Sequence, residues 1–134
     1  MCSSDLLEPT QNEIDVARKD LVTGRNNKEI IQRAFASELR KKGVPEDNIP
    51  FAVAALSGQV QAESNFNPSV KHDFDSSIGD YTGYGIYGAR DPKPGQGRKT
   101  DMFKWLDANG YDRNSAEGQA RYMVHEAQIG RAHV

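Results

Sequence analysis

Helical periodicity lapses in the middle of this chain, and the lapse limits the folds open to it. Residues 69–98 carry six glycines, two prolines and four aromatic residues, Phe74, Tyr81, Tyr84 and Tyr87. Thr82 to Tyr87 has the composition of a short strand or hairpin, and the remainder reads as loop. So long an irregular stretch inside a compact domain usually serves function. Helical patterns flank it on both sides. The expected class is therefore mainly α, an α+β arrangement of helices around a cleft with a small β-hairpin or Gly/Tyr-rich loop in the middle.

The first firm helix is expected over about Asn27–Lys42, with Asn26 and Glu29 at capping-box spacing and Ile30, Ile31, Ala34, Phe35 and Leu39 as its apolar stripe. Arg40, Lys41 and Lys42 suit its C-terminal dipole, and Gly43 and Pro45 stop it. Residues 9–24 are weakly helical, the pattern of a linker helix. The second helix spans about Ile49–Ser64, with Asn48 as cap, Pro50 in the first turn, and Asn65-Phe66-Asn67-Pro68 as terminator. Two more follow, over about Lys99–Ala108 and Ser115–Gln128. Asn114 and Glu117 have capping-box spacing for the last, and Ala116, Ala120, Met123 and Ala127 line one of its faces.

The 134 residues fit one domain. A formal charge of −2 gives no field favouring nucleic acid or an anionic membrane, and no apolar run reaches the roughly 20 residues of a span. The N-terminus shows no signal-peptide pattern. Cys2 stands alone, so no internal disulfide forms. Both ends look foreign: Ile129–Val134 matches one reading frame of a common sequencing adapter, and Cys2–Leu6 its reverse complement. The expected division is an extension over 1–25, its first six residues adapter-derived, an incomplete domain over 26–128, and an adapter-derived tail over 129–134. Loss of helices after Gln128 is expected to uncover the Met102–Leu106 and Met123 faces.

One residue of the second helix stands out. On a helical wheel Val53, Leu56 and Val60 lie within about 60° of one another, and Glu63 falls at the edge of their stripe. A carboxylate bordering a core is expected to be paired or to hold its proton, and a carboxylic acid beside a cleft can protonate a glycosidic oxygen. The alternative is a structural Glu satisfied by backbone donors or by Arg98.

Ala62-Glu63-Ser64-Asn65-Phe66-Asn67-Pro68 resembles the A-E-S-x-F-N-P signature of phage tail lysozymes, relatives of lytic transglycosylases and goose-type lysozymes. Tyr84-Gly85-Ile86-Tyr87-Gly88 resembles the strand-loop that follows, Arg98-Lys99 the start of a Trp-containing helix, and Gln119, Tyr122 and Glu126 a Q-x-x-Y-x-x-x-E helix. The resemblance covers about residues 26–128 and implies a lysozyme-like fold. It gives Glu63 the acid role and Ser64 and Phe66 supporting roles in substrate binding. The chain departs from the pattern at Gly88 and Ala89, where the family usually has a Gln that contacts substrate or orients a loop.

The reaction implied is cleavage of the β-1,4 bond between N-acetylmuramic acid and N-acetylglucosamine in peptidoglycan strands. Asp73, Asp75 and Asp80 are the candidates for a second carboxylate, although each also reads as a solvated turn residue. Transglycosylases need none, so hydrolysis and transglycosylation both stay open. Tyr81, Tyr84 and Tyr87 suit sugar stacking or ordinary sheet packing, and Tyr84, Tyr87 and Gln96 are the alternatives for standing in for the absent Gln. Trp105 is expected in the core and Glu126 against Arg98 or a loop. His72, His125 and His133 lack metal-ligand spacing, so no metal or other cofactor is expected. Ser64 lacks triad companions, and Gly83, Gly85 and Gly88 lack the helix start or lysine of a phosphate loop. The implied partners are glycan strands, other phage tail proteins or a larger parent chain, with no nucleic acid and no membrane insertion. The implied place is a virion tail, or the extracellular or periplasmic side of a cell wall. A catalytically silent glycan-binding tail domain and an unrelated helical interaction module are the competing readings.

Overall fold

The structure, a computed structural model, describes residues 8–132. Among the described residues four helices pack with a three-stranded antiparallel sheet. Helix α1 (Gln11–Lys41) is one continuous element. Thr10 caps it, its side chain accepting from the Glu13 amide at 3.2 Å. Asn26 is therefore interior rather than a cap. Gly24, Asn26 and Asn27 each cost helix propensity, by at most about 1 kcal/mol, and none forbids helical geometry. The helix ends as the sequence indicates: Gly43 N–H donates to Arg40 O and Val44 N–H to Leu39 O, a Schellman closure.

Helix α2 (Ile49–Ser64) follows a 3-10 turn at Glu46–Asn48, with Pro50 in its first turn. Asn48 makes no side-chain capping bond. Strands β1 (Lys71–Asp75) and β2 (Asp80–Tyr84) form a hairpin, with Lys71 opposite Tyr84 and Asp75 opposite Asp80, and β3 (Ala89–Arg90) adds to β2. The strand expected over Thr82–Tyr87 thus begins and ends earlier, because Gly85 at φ +90° turns the chain away. The partner β1 was not expected, since Lys-His-Asp-Phe-Asp has three charged residues and no β-branched one.

Helices α3 (Arg98–Ala108) and α4 (Ala116–Ala132) complete the fold. The caps differ from the sequence reading. Asp91, buried at the end of the sheet, accepts from Thr100 N at 2.9 Å and Thr100 Oγ1 at 2.5 Å and so caps α3 from outside. Ser115, rather than Asn114, caps α4 by accepting from Gly118 N at 3.0 Å. No described helix is long and apolar enough to cross a membrane. Residues 1–7 and 133–134, with most of the two segments read as adapter-derived, lie outside the described residues.

Two apolar clusters hold these elements. Ile31, Phe35, Val60, Phe66, Ile86 and Val124 join α1, α2, the hairpin exit and α4. Met102, Leu106, Ala89 and Tyr122 seat α3 against β3 and α4, with Trp105 stacked on Tyr111 at their edge. Met102, Leu106 and Met123 are buried, contrary to the expectation that they would be uncovered. The open apolar groove instead runs past Leu39, Val44, Ala52 and Leu56. Arg121 of α4 ties the long helices together by donating to Ser37 and Glu38 of α1, the latter at 2.8 Å.

Candidate active site

Glu63 occupies the last turn of α2, and the backbone beyond it is unusual. Asn65 and Phe66 both take left-handed conformations, at φ 50° and 64°. Asn tolerates this geometry, whereas for Phe it is costly and must be held by its surroundings. The Phe66 ring supplies the hold: it is buried in the first cluster, with Lys28 Nζ 5.7 Å from its centroid. Phe66 is thus a core anchor that turns the chain sharply after Glu63, and not a surface for substrate. Asn67 N–H donates back to Ser64 O, and Asn67 Oδ1 accepts from Ser69 N, which closes the turn before Pro68 releases the chain into β1.

Ser64 is likewise structural. Its hydroxyl donates to Ile86 O at 2.7 Å, with Val60 O at 3.1 Å. This bond locks the end of α2 to the hairpin exit, Gly85–Gly88. Gln119 locks the same segment from beneath. It is fully buried; its Oε1 accepts from Ile86 N at 2.8 Å, and its Nε2 donates to Pro68 O at 2.9 Å and Arg113 O at 2.7 Å. A side chain at Gly85 would meet Gln119 Oε1 at 2.5 Å, so the close approach and the positive φ both require glycine there. Sequence reasoning placed Gln119 only within a resemblance. Its polar side chain on the apolar face of α4, one residue before Ala120, was the available signal.

The Glu63 carboxylate stands over this fixed turn. A Cβ built on Gly88 would lie 3.4 Å from Glu63 Oε2 and 3.6 Å from His72 Cγ, so the carboxylate and the imidazole flank one point above the glycine. His72 Nε2 lies 2.9 Å from Gly85 O. A carbonyl only accepts, so Nε2 is the donor in this contact. His72 is a site neighbour that sequence reasoning set aside, since it was weighed only as a metal ligand. Glu63 is exposed rather than half-buried as its wheel position implied, because the covered face of α2 runs through Ser57, Val60 and Ser64, and Glu63 lies about 100° from Ser64 around the helix. Among the described residues it has no ion-pair partner, and Arg98 is engaged elsewhere.

The three aspartates separate along the hairpin. Asp73, beside His72, takes φ 57° and pairs with Arg90 at 3.3 Å. Asp75 and Asp80 face each other at the far end, about 10 Å along the strand from His72 at 3.4 Å per residue. Asp75 accepts from Ser77 N and Oγ, and the hydroxyl bond above all holds its carboxyl below the usual range. Asp80 Oδ1 accepts from Tyr81 N at 2.7 Å. These are turn-stabilising arrangements.

The tyrosines also part company. Tyr87 is half-buried and donates to Glu126 Oε2 at 3.1 Å, with Arg98 Cζ 5.3 Å from its ring centroid. Burial, then the Glu126 carboxylate, pushes its hydroxyl far above the ordinary value. Arg98 Nε donates to Glu126 Oε1 at 2.9 Å, which bears out the expected pairing and makes Tyr87 part of a structural cluster, not a free stacking face. Tyr84 packs edge-on against Phe103 at 5.3 Å, and Tyr81 edge-on against the exposed Phe74 at 5.2 Å. Gln96 is exposed in a tight turn closed by its own N–H to Lys93 O. Of the residues singled out beforehand, Glu63 and Ser64 meet at the hairpin exit, whereas Asp80, Tyr81 and Tyr84 line a separate cavity on the hairpin.

A family model described as phage tail lysozyme matches residues 31–134. No curated protein and no solved structure matches the chain.

Proposed function

The chain belongs to the phage tail lysozyme family, which carries a lysozyme-like, peptidoglycan-directed activity in general terms, and from that premise we propose that it cleaves the β-1,4 bond between N-acetylmuramic acid and N-acetylglucosamine with Glu63 as general acid. The observation that carries the reading is the bare backbone at Gly88 beneath a Glu63 carboxylate that has no ion-pair partner among the described residues. A group seated at that point would meet the Glu63 carboxyl at contact distance, within reach of a proton donor. In the free protein the carboxylate is hydrated. A sugar seated over Gly88 displaces that water, and a carboxyl stripped of water favours its neutral form. The neutral acid then protonates the leaving oxygen as positive charge develops on the ring.

Asp73 is the best placed of the three aspartates for a second carboxylate, since it adjoins His72 on β1. It pairs with Arg90 at 3.3 Å, and a nucleophile or a base for water is the role a second carboxylate would take. Hydrolysis and transglycosylation both remain compatible with this arrangement. The setting proposed is a phage tail or a tail-borne larger chain acting at the bacterial wall.

Turbidity of a purified cell-wall suspension tests the reading. Wild type is expected to clear it and Glu63→Gln to clear it at least a hundredfold more slowly. Equal clearing by both removes Glu63 from the mechanism. A second reading, a binding-only tail domain, is favoured by one observation: no side chain stands at Gly88 to contact substrate. Glycan pull-down by wild type with no clearing supports it.

A further inference from the structure

The hairpin bears a second concave site that the cleavage chemistry leaves unused. It is a cavity of about 300 Å³ between β2 and the start of α3, separate from the point above Gly88. That volume is in the range of sites for small molecules. Its walls are aromatic: Tyr84 packs edge-on against Phe103, and Tyr81 flanks them. Its polar lining is mainly cationic. Lys71 Nζ sits 5.9 Å from the Tyr81 ring centroid, Lys99 Nζ donates to Tyr81 O at 3.2 Å, and Arg113 Cζ lies 4.6 Å from the Phe103 centroid.

The three cations differ in how far they are neutralised. Arg113 is paired with Asp107 at 3.1 Å. Among the described residues Lys71 and Lys99 have no carboxylate within ion-pair distance, although both line the cavity. The one carboxylate in its wall, Asp80, is turned back onto the Tyr81 amide. Two unneutralised ammonium groups over aromatic walls select an anion carried on a compact organic body. A neutral sugar gains no ion pair from the lysines, and a long polyanion is opposed by Asp80 and by the overall charge of −2.

We propose that this cavity binds a carboxylate on a short peptide, so that the protein holds the peptide appendage of its wall polymer here while the glycan lies at Glu63. The identity of that polymer rests on the lytic reading above; the anion preference does not. A carboxylate between Lys71 and Lys99 makes charge-assisted bonds to both, and the aliphatic part of the peptide covers the Tyr81 and Phe103 faces.

The test uses the whole chain as the Glu63→Gln variant, so that no ligand is consumed, and measures affinity by calorimetry and by amide shifts of Gly83 and Tyr84. The probes are N-acetylmuramyl-L-alanyl-D-glutamate, the same dipeptide with both carboxyls amidated, glycerol phosphate, chitotriose and a short single-stranded oligonucleotide. The acid dipeptide is expected to bind, the diamide about tenfold or more weakly, and chitotriose without shifting Gly83 or Tyr84. Lys71→Gln and Lys99→Gln are each expected to lose about tenfold for the acid dipeptide alone. Equal affinity for acid and diamide, or unchanged affinity in both lysine variants, overturns the proposal. Tighter binding of glycerol phosphate reassigns the anion to a phosphate polymer, and tighter binding of the oligonucleotide reassigns it to nucleic acid; either overturns the peptide assignment. If wild type fails to clear cell walls while the acid dipeptide still binds in preference to its diamide, the lytic reading fails and the anion site stands.

Discussion

Replacing Gln119 by Leu should uncouple the floor of the site from the rest of the fold. Gln119 is fully buried and makes three hydrogen bonds, to Ile86 N, Pro68 O and Arg113 O. Leu has nearly the same volume, so little cavity term arises and the loss is mainly polar. The Ile86 N–H is buried and has no water to turn to, so it bears the full desolvation cost of about 1–3 kcal/mol. The two carbonyls are partly reachable by water and lose roughly 0.5–1 kcal/mol each. The expected total is about 3 kcal/mol, a large share of the roughly 5–15 kcal/mol that holds a domain together. With an m-value of roughly 1.5 kcal/mol/M, the urea midpoint should fall by about 2 M. Gln119→Glu sharpens the test. At neutral pH it places carboxylate oxygen against two carbonyls, and it should be at least as unstable. On acidification the neutral acid can donate again, and its deficit relative to wild type should shrink. A Gln119→Leu protein within 1 kcal/mol of wild type would refute the clamp.

Other outcomes follow from the same contacts. Burial pushes the Tyr122 hydroxyl up to about 12, and Tyr87 is raised further, so both stay protonated in the folded chain when the unfolded chain has begun to ionise near 10. Stability should be whole below pH 10 and fall between about pH 10 and 12, by roughly 1.4 kcal/mol per pH unit for each tyrosine; a flat urea midpoint across that window counts against it. Arg121→Met leaves the nearly buried Glu38 carboxylate with only Lys41, at 3.5 Å, and should cost about 2 kcal/mol by thermal melt, less in an Arg121→Met/Glu38→Gln double variant. Asp91→Ala removes both bonds to Thr100 and should cost about 2 kcal/mol while fraying the first turn of α3 in amide exchange.

Legibility in the sequence varied with how local the determining physics is. The bounds of α2 were readable because Pro50 and Asn65–Pro68 act within a few residues of themselves. The stop of α1 was readable for the same reason at Gly43. Strand β1 was not, because Lys71–Asp75 forms a strand only through pairing with Asp80–Tyr84, and its own composition opposes one. Asn26 looked like a cap because capping chemistry is local, whereas the helix starts earlier at Thr10.

At the site, Glu63 was singled out by its wheel position and by the residues that follow it, but its exposure was not legible. That exposure depends on which face of α2 the neighbouring elements cover: Ser57, Val60 and Ser64 lie on the covered face and Glu63 does not. The wheel could not show that Phe66 is an anchor or that Tyr87 is tied to Glu126, for both depend on which element packs over them. The cationic cavity was invisible for the same reason: Lys71, Lys99 and Arg113 come from three separate elements.

The most direct measurement of the central claim is mass spectrometry of cell walls digested by the protein. Glycosidic cleavage by Glu63 predicts muropeptides with intact peptides and new glycan ends, either reducing N-acetylmuramic acid for hydrolysis or the 1,6-anhydro form for transglycosylation, both absent from a Glu63→Gln digest. Peptide fragments released from uncut glycan strands, or the same glycan ends from the Glu63→Gln protein, would contradict it.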